Sequence, residues 1–283
     1  MRVLVTGVKG QLGFDVCREL SKRGIENQGI DINDCDLCDE AATERVFGEY
    51  KPDVIVHCAA YTAVDKAESE PEKCAAVNVG ATLNVARAAK QNNAKMVYIS
   101  TDYVFSGEGE EPFETDAEKA PMSVYGKTKS EGEDAVTETC DKYFIIRTSW
   151  VFGINGGNFV NTMLRLGSEK ESISVVCDQI GSPTYTYDLS KLICDMIVTE
   201  KYGIYHGTNE GFCSWFEFAS AIMEAADLPC KVEKVLTSEY KSAAKRPLNS
   251  RLSKKKLDDA LFSRLPKWQD ALERYLKEKQ KMQ

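Results

Sequence analysis

Histidine is nearly absent from this chain: His57 and His206 are the only two among 283 residues. A histidine-based metal centre would have few ligands to draw on. No stretch approaches the roughly 18 consecutive apolar residues that a membrane-crossing helix needs. The opening Met1-Arg2-Val3-Leu4-Val5-Thr6-Gly7 is too soon interrupted to read as a secretory leader; it reads as a strand feeding a glycine turn. Positive charge is also in deficit, with 36 Lys and Arg against 44 Asp and Glu and a formal charge of -8. That balance argues against nucleic acid as a main partner, because phosphate-backbone binding needs a basic surface. A small phosphorylated ligand remains compatible, since a helix N-terminus or one arginine supplies the field locally. Repeats and low-complexity tracts are missing too. The expected setting is cytoplasmic, with no membrane and no nucleic acid as partner.

Cysteine is present but unpatterned. Its ten residues are scattered, several within apolar or helical stretches (Cys17, Cys58, Cys194), which suits reduced thiols better than a disulfide framework. Cys35 and Cys38 form a C-x-x-C with neither a second pair nor neighbouring histidines, so no metal is assigned to them.

A hydrophobic share of 43% is ordinary for a globular core. The first half alternates short apolar runs with amphipathic spacing. Strands are predicted at 2–6, 25–30, 54–58, 95–100 and 143–147, and helices at 11–23, 41–50, 75–91 and 125–139. Repeated β-α-β with short links implies an α/β fold with a doubly wound parallel (Rossmann) sheet over residues 1–150. Residues 151–283, after the turn Gly153-Ile154-Asn155-Gly156-Gly157-Asn158, read as a smaller C-terminal α/β substrate-binding region, with room for part of it to return to the sheet. Helices are expected there around 159–166, 187–199, 215–226 and 268–277.

Three sequence features carry chemistry. Thr6-Gly7-Val8-Lys9-Gly10-Gln11-Leu12-Gly13 follows a strand and opens a helix, the context in which a glycine triplet binds a dinucleotide. Gly7 would make the tight turn, Gly10 would admit the pyrophosphate, and Gly13 would let helix and sheet approach. Asp31, after the second strand, suits the ribose 2′-hydroxyl of NADH, and no arginine stands beside it to favour the 2′-phosphate of NADPH; either reduced cofactor stays open. Tyr125 and Lys129 form Y-x-x-x-K, which shares one helix face. An ammonium beside a phenol favours the phenolate and lowers a pKa that is otherwise near ~10. Thr101 ends the fourth strand, where open α/β sheets place their ligands.

These motifs resemble the extended short-chain dehydrogenases, and more narrowly the dTDP-4-dehydrorhamnose reductases. The narrower likeness rests on Ala59 to Glu68 (AAYTAVDKAE), Ser100 to Phe105 (STDYVF), Arg147 to Gly153 (RTSWVFG), Gly181 to Thr184 (GSPT) and Arg246 to Ser250 (RPLNS), which span most of the chain. The resemblance implies reduction of the C4 ketone of dTDP-4-dehydro-β-L-rhamnose by NADH or NADPH. Thr101 would hydrogen-bond the sugar carbonyl, Tyr125 would protonate it, and Lys129 would tune Tyr125 and hold the nicotinamide ribose. Gly7, Gly10, Gln11, Leu12, Gly13, Asp31, Asp36, Leu37, Ala60, Tyr61 and Thr62 would line the cofactor together with Tyr125 and Lys129. Asp102 and Trp150 would bind the sugar, and Asn158 and Arg246 the nucleotide diphosphate. Dehydratases of the same superfamily carry Thr-Asp-Glu where this chain has Thr101-Asp102-Tyr103, so simple reduction is expected rather than loss of water. Two other readings stay open: a non-catalytic cofactor-binding regulatory subunit, and a reductase or epimerase of another nucleotide sugar. Some relatives are homodimers bridged by magnesium through carboxylates. Asp15 stands at one matching position, and both the metal and the homodimer are left unassigned.

Overall fold

A computed structural model describes residues 1–282. β1 (Arg2–Thr6), α1 (Gln11–Lys22), β2 (Glu26–Ile30), α2 (Glu40–Tyr50) and β3 (Val54–His57) follow in strict alternation. Two short helices come next, α3 (Val64–Ala67) and α4 (Pro71–Ala75). The chain then runs through a π-helical stretch, Ala76–Ala81, into α5 (Thr82–Gln91). Helix therefore begins before residue 75, at a proline in the first helical position, where its missing N–H costs nothing. β4 (Lys95–Thr101), α6 (Val124–Thr139) and β5 (Tyr143–Thr148) complete the first half.

The second half holds β6 (Val151–Phe152), α7 (Phe159–Glu169), β7 (Ser172–Val176), β8 (Ile180–Gly181), β9 (Thr184–Tyr185), α8 (Thr186–Ile197) and β10 (Gly203–His206). It continues with β11 (Cys213–Ser214), α9 (Trp215–Ala225), β12 (Lys231–Val235), β13 (Asn249–Ser250), α10 (Lys255–Asp259) and α11 (Trp268–Lys281).

The main sheet has the order β10-β5-β4-β3-β1-β2, and each neighbouring pair runs parallel. Alternate residues of its strands feed opposite faces, as the period of two requires. Val3, Val5, Val54, Val56, Phe144 and Ile146 pack towards α1 and α8. Leu4, Ile55 and Ile145 pack on the other side with residues of α2, α5 and α6. β10 pairs with β5 and α8 packs on the same face as α1, so residues beyond 150 contribute to the sheet and its covering layer. A separate core is built from β6, α7, β7, β9, α9 and α11, with Phe152, Tyr185, Phe218, Trp268 and Tyr275 at its centre.

Candidate active site

Because the six strands are parallel, their carboxyl ends share one edge. The strand order reverses between β1 and β3, and a ligand crevice belongs there. A cleft of about 910 Å³ opens at that edge. Its wall begins with the glycine loop. Gly7 has φ 70°, and a Cβ there would stand 2.7 Å from the Ala59 nitrogen, so a side chain would push the β1 and β3 loops apart. A Cβ on Gly13 would collide with the Gly7 carbonyl. Gly10 is the N-cap of α1 and supplies no capping side chain, leaving the amides of the first helical turn for an anion. Asn155 donates from Nδ2 to the Lys9 carbonyl at 2.8 Å, tying this loop to the second half of the chain.

Beyond β2, Asp31 accepts from the backbone N–H of Lys9 at 2.9 Å and of Ile32 at 2.9 Å, which fixes its carboxylate beside the glycine loop. Asp36 and Leu37, flanked by Cys35 and Cys38, form the next part of the wall, followed by Ala60, Tyr61 and Thr62 after β3. All ten cysteines are free. Every residue expected to meet the cofactor lines this single cleft, including Gly7, Gly10, Gln11, Leu12, Gly13, Tyr125 and Lys129. Uncapped helix amides, close-packed glycines and a ribose-side carboxylate fit a dinucleotide.

Thr101 closes β4, and a 3-10 turn, Asp102–Val104, follows. The Thr101 hydroxyl donates to Asp102 Oδ1 at 2.9 Å and accepts from the Tyr103 N–H at 3.2 Å. Two anchors set the start of α6: Ser123 Oγ accepts from the Gly126 N–H at 3.1 Å, and Glu68 Oε1 accepts from the Val124 N–H at 2.9 Å. At Gly126 a side chain would strike the Tyr103 carbonyl, so this glycine lets the helix lie directly on the turn after β4. Tyr125 and Lys129 thereby face the same cleft as Thr101 and Asp102.

Electrostatics here differ from the expectation of a lowered tyrosine pKa. Burial first, and then the charge of Asp102, hold the Tyr125 phenol protonated far above neutral pH, while the Thr101 hydroxyl favours the phenolate. Lys129 is itself buried, and desolvation brings it down to about 7, with Glu133 opposing. An ammonium that is only partly charged near neutrality is a weak lever on a buried phenol, so burial wins. Desolvation likewise raises Asp102 to about 6, and its Oδ2 is buried without a hydrogen-bond partner.

The far side of the cleft is aromatic. Trp150 has φ 51°, in the left-handed region, so the chain holds it there at some cost. One of its faces is already covered: the ring of Trp215 stacks on it at 3.7 Å and 14°. Gln179, Trp215, Tyr103, Pro247 and Ser250 also line the cleft, and none was expected there as a ligand-binding residue. Trp215 and Gln179 carried no usable signal. Tyr103, Pro247 and Ser250 lay inside or beside the motifs already quoted.

Two expected ligand residues are directed elsewhere. Asn158 caps α7 through Oδ1 to the Asn161 N–H at 2.9 Å, and its Nδ2 donates to the Gly153 carbonyl at 2.8 Å and Gln11 Oε1 at 3.1 Å. Arg246 is paired with Asp65 at 2.6 Å and donates weakly to the Tyr103 hydroxyl at 3.4 Å. Neither lines the cleft. Among the described residues no group of three or more His, Cys, Asp or Glu is placed to hold a metal. Asp15 is buried, accepts from Thr186 Oγ1 at 2.5 Å, and sits 3.5 Å from Arg18.

A parallel sheet with a glycine cradle at its switch point, and a Thr, Tyr and Lys set at one strand end, defines the class of extended short-chain dehydrogenases. Within that class the chain belongs to the family described as "RmlD substrate binding domain", whose model matches residues 1–281. It is 42% identical to the spore coat polysaccharide biosynthesis protein SpsK of Bacillus subtilis, over 98% of both chains. A dTDP-4-dehydrorhamnose reductase from Bacillus anthracis, solved with NADP, is 44% identical with a TM-score of 0.96, covering 98% of this chain and 99% of that one. A dTDP-4-dehydrorhamnose reductase from Clostridium acetobutylicum is 39% identical with a TM-score of 0.97, covering 99% and 100%. Among the described residues no helix is long and apolar enough to cross a membrane.

Proposed function

We propose that this protein is an NAD(P)H-dependent reductase that converts the C4 ketone of dTDP-4-dehydro-β-L-rhamnose to the alcohol of dTDP-β-L-rhamnose. The observation that carries the reading is the convergence of Thr101, Tyr125 and Lys129 on the cleft that also holds the glycine loop. Near-full-length similarity to proteins named as such reductases supports the substrate. The glycine loop, Asp31 and the Ala60-Tyr61-Thr62 segment would hold the reduced nicotinamide dinucleotide, which supplies the hydride.

The chain's own groups handle the proton. Burial favours the protonated phenol of Tyr125 at neutral pH, the form needed by a group that gives its proton to the carbonyl oxygen as the carbon is reduced. Thr101 at present gives its hydrogen to Asp102. A sugar hydroxyl donating to Asp102 would take that place and free the Thr101 hydrogen for the same carbonyl oxygen. The unpartnered Asp102 Oδ2 is a second acceptor for a sugar hydroxyl, and Trp150 borders the sugar. The Lys129 ammonium would hold the nicotinamide ribose and favour the phenolate left after proton transfer.

Tyr125→Phe is expected to bind NADH as the parent does and to turn over roughly 100- to 10,000-fold more slowly. The assay is NADH oxidation across a panel of 4-keto nucleotide sugars. Parental turnover by the phenylalanine variant would refute the mechanism, and no oxidation with any keto-sugar would refute the activity.

A further inference from the structure

Ser100, Glu133 and Arg147 play no part in the chemistry above, yet all three are buried, and Ser100 borders the same cleft. Ser100 precedes Thr101 on β4, Arg147 lies opposite Ser100 on β5, and Glu133 follows Lys129 by one turn of α6. Glu133 Oε1 accepts from Ser100 Oγ at 2.5 Å and from Arg147 Nε at 2.8 Å, while Oε2 accepts from the second guanidinium nitrogen at 2.7 Å. Arg147 also donates to the Thr115 carbonyl at 2.9 Å, and Lys119 lies 3.8 Å from Glu133. One carboxylate therefore joins the helix of Tyr125 and Lys129 to the strand end of Thr101. α6 makes its close approach on this side, since a side chain at Gly132 would strike the Tyr98 hydroxyl.

We propose that Glu133 is a positioning residue for the reduction, locking α6 to the end of β4 and holding the Lys129 ammonium in its charged form. The proposal rests on the reductase reading given above. Lys129 lies over the Tyr98 ring, its Nζ 4.0 Å from the centroid. The other titratable groups around it are His57 and Cys58 at the end of β3, Cys74 on α4, Tyr98 on β4 and Tyr125 on α6. Burial raises both thiols and both phenols and pushes His57 down to about 3, so none is charged at neutral pH. Glu133 is left as the negative charge that favours the ammonium against desolvation. Desolvation outweighs that charge and brings Lys129 down to about 7, against an ordinary ~10.4.

Glu133→Gln keeps the shape and removes the charge. Lysine ¹³Cε resonances of the protein without cofactor, with the Lys129 signal identified by its loss in Lys129→Ala, read the titration directly. The Lys129 midpoint is expected to fall by roughly one pH unit or more. The basic limb of kcat against pH is expected to move down with it, and kcat at pH 8 to drop about tenfold or more. Glu133→Gln leaves Arg147 buried and unpaired, so Glu133→Leu/Arg147→Met serves as the second variant, since apolar residues of similar volume commonly restore the stability of a broken buried pair. Its Tm is expected to return towards the parent while the Lys129 midpoint and kcat stay low. Midpoints and pH profiles that superimpose on the parent in both variants would overturn the proposal. A parent that oxidises NADH with no keto-sugar would defeat the reductase reading instead, and the resonance titration would still decide whether Glu133 charges Lys129.

Discussion

At Asp102 the chain accepts an energetic cost for the sake of a site. Its carboxylate is buried, half-satisfied by Thr101 and raised to about 6, against ~3.9 in an unfolded chain. The stabilising contribution of this group is full below pH ~4, where both states carry the proton. It is lost as pH rises through about 6, because the folded state must then bury a charge that water would solvate. Asp102→Asn cannot ionise. Its Tm relative to the parent is therefore expected to be higher at pH 7.5 than at pH 4.5, with turnover reduced because a sugar-hydroxyl acceptor is gone. A Tm difference that does not change between those two pH values would show that the carboxylate is not the source. Stability gained at the expense of activity is the usual outcome where a site is built from poorly solvated groups.

Helix α6 carries Tyr125 and Lys129, the residues proposed to act on the carbonyl, and its register on the sheet depends on its first turn. Ser123 and Glu68 satisfy two of its free amides, and Gly126 permits contact with the turn after β4. Ser123→Ala removes the cap and is expected to cost about 1 kcal/mol of stability. Tyr125 lies in the uncapped turn, so kcat is expected to fall several-fold while binding of the reduced dinucleotide, governed by the loops after β1, β2 and β3, changes little. Titration of NADH fluorescence and single-turnover rates separate these effects. An unchanged kcat together with a lowered Tm would mean that the helix is placed without the Ser123 cap.

Over the whole molecule, polar pairs tie the layer covering the six-stranded sheet to the aromatic second core. Arg274 of α11 makes a two-pronged pair with Asp188 of α8, at 2.8 and 2.6 Å, and Asn209 donates to the same buried carboxylate at 2.9 Å. α8 packs on the sheet face with α1, and α11 belongs to the second core, so this pair joins the layer covering the sheet to that core. Arg274→Met leaves Asp188 buried with two of these three hydrogen bonds lost. It is expected to destabilise by about 3 kcal/mol, the low end for breaking a buried pair, because the arginine itself is 32% exposed. Denaturant unfolding monitored by tryptophan fluorescence, with Trp150, Trp215 and Trp268 all near the second core, measures it. A loss below 1 kcal/mol would mean that the Arg274–Asp188 pair is not what joins the sheet layer to the second core.

Local patterns decided the parts of this protein that local physics controls. Strand-helix alternation through the first 150 residues, the glycine cradle, and the four-residue step from Tyr125 to Lys129 each depend on neighbours within a few positions. They were legible for that reason, as was the gathering around strand ends of the residues proposed to hold the cofactor. Contacts between distant segments were not. Asn158 meets Gln11 across 147 positions and Arg246 meets Asp65 across 181, so the partners of these side chains could not be read from residue type. Trp215 stacks on Trp150, β10 joins β5, and Glu133 bridges two strands. Even the direction of the Tyr125 pKa belongs to the tertiary level: spacing sets which charges are near, but only the packed structure sets how much water is removed, and here desolvation outweighs the neighbouring lysine.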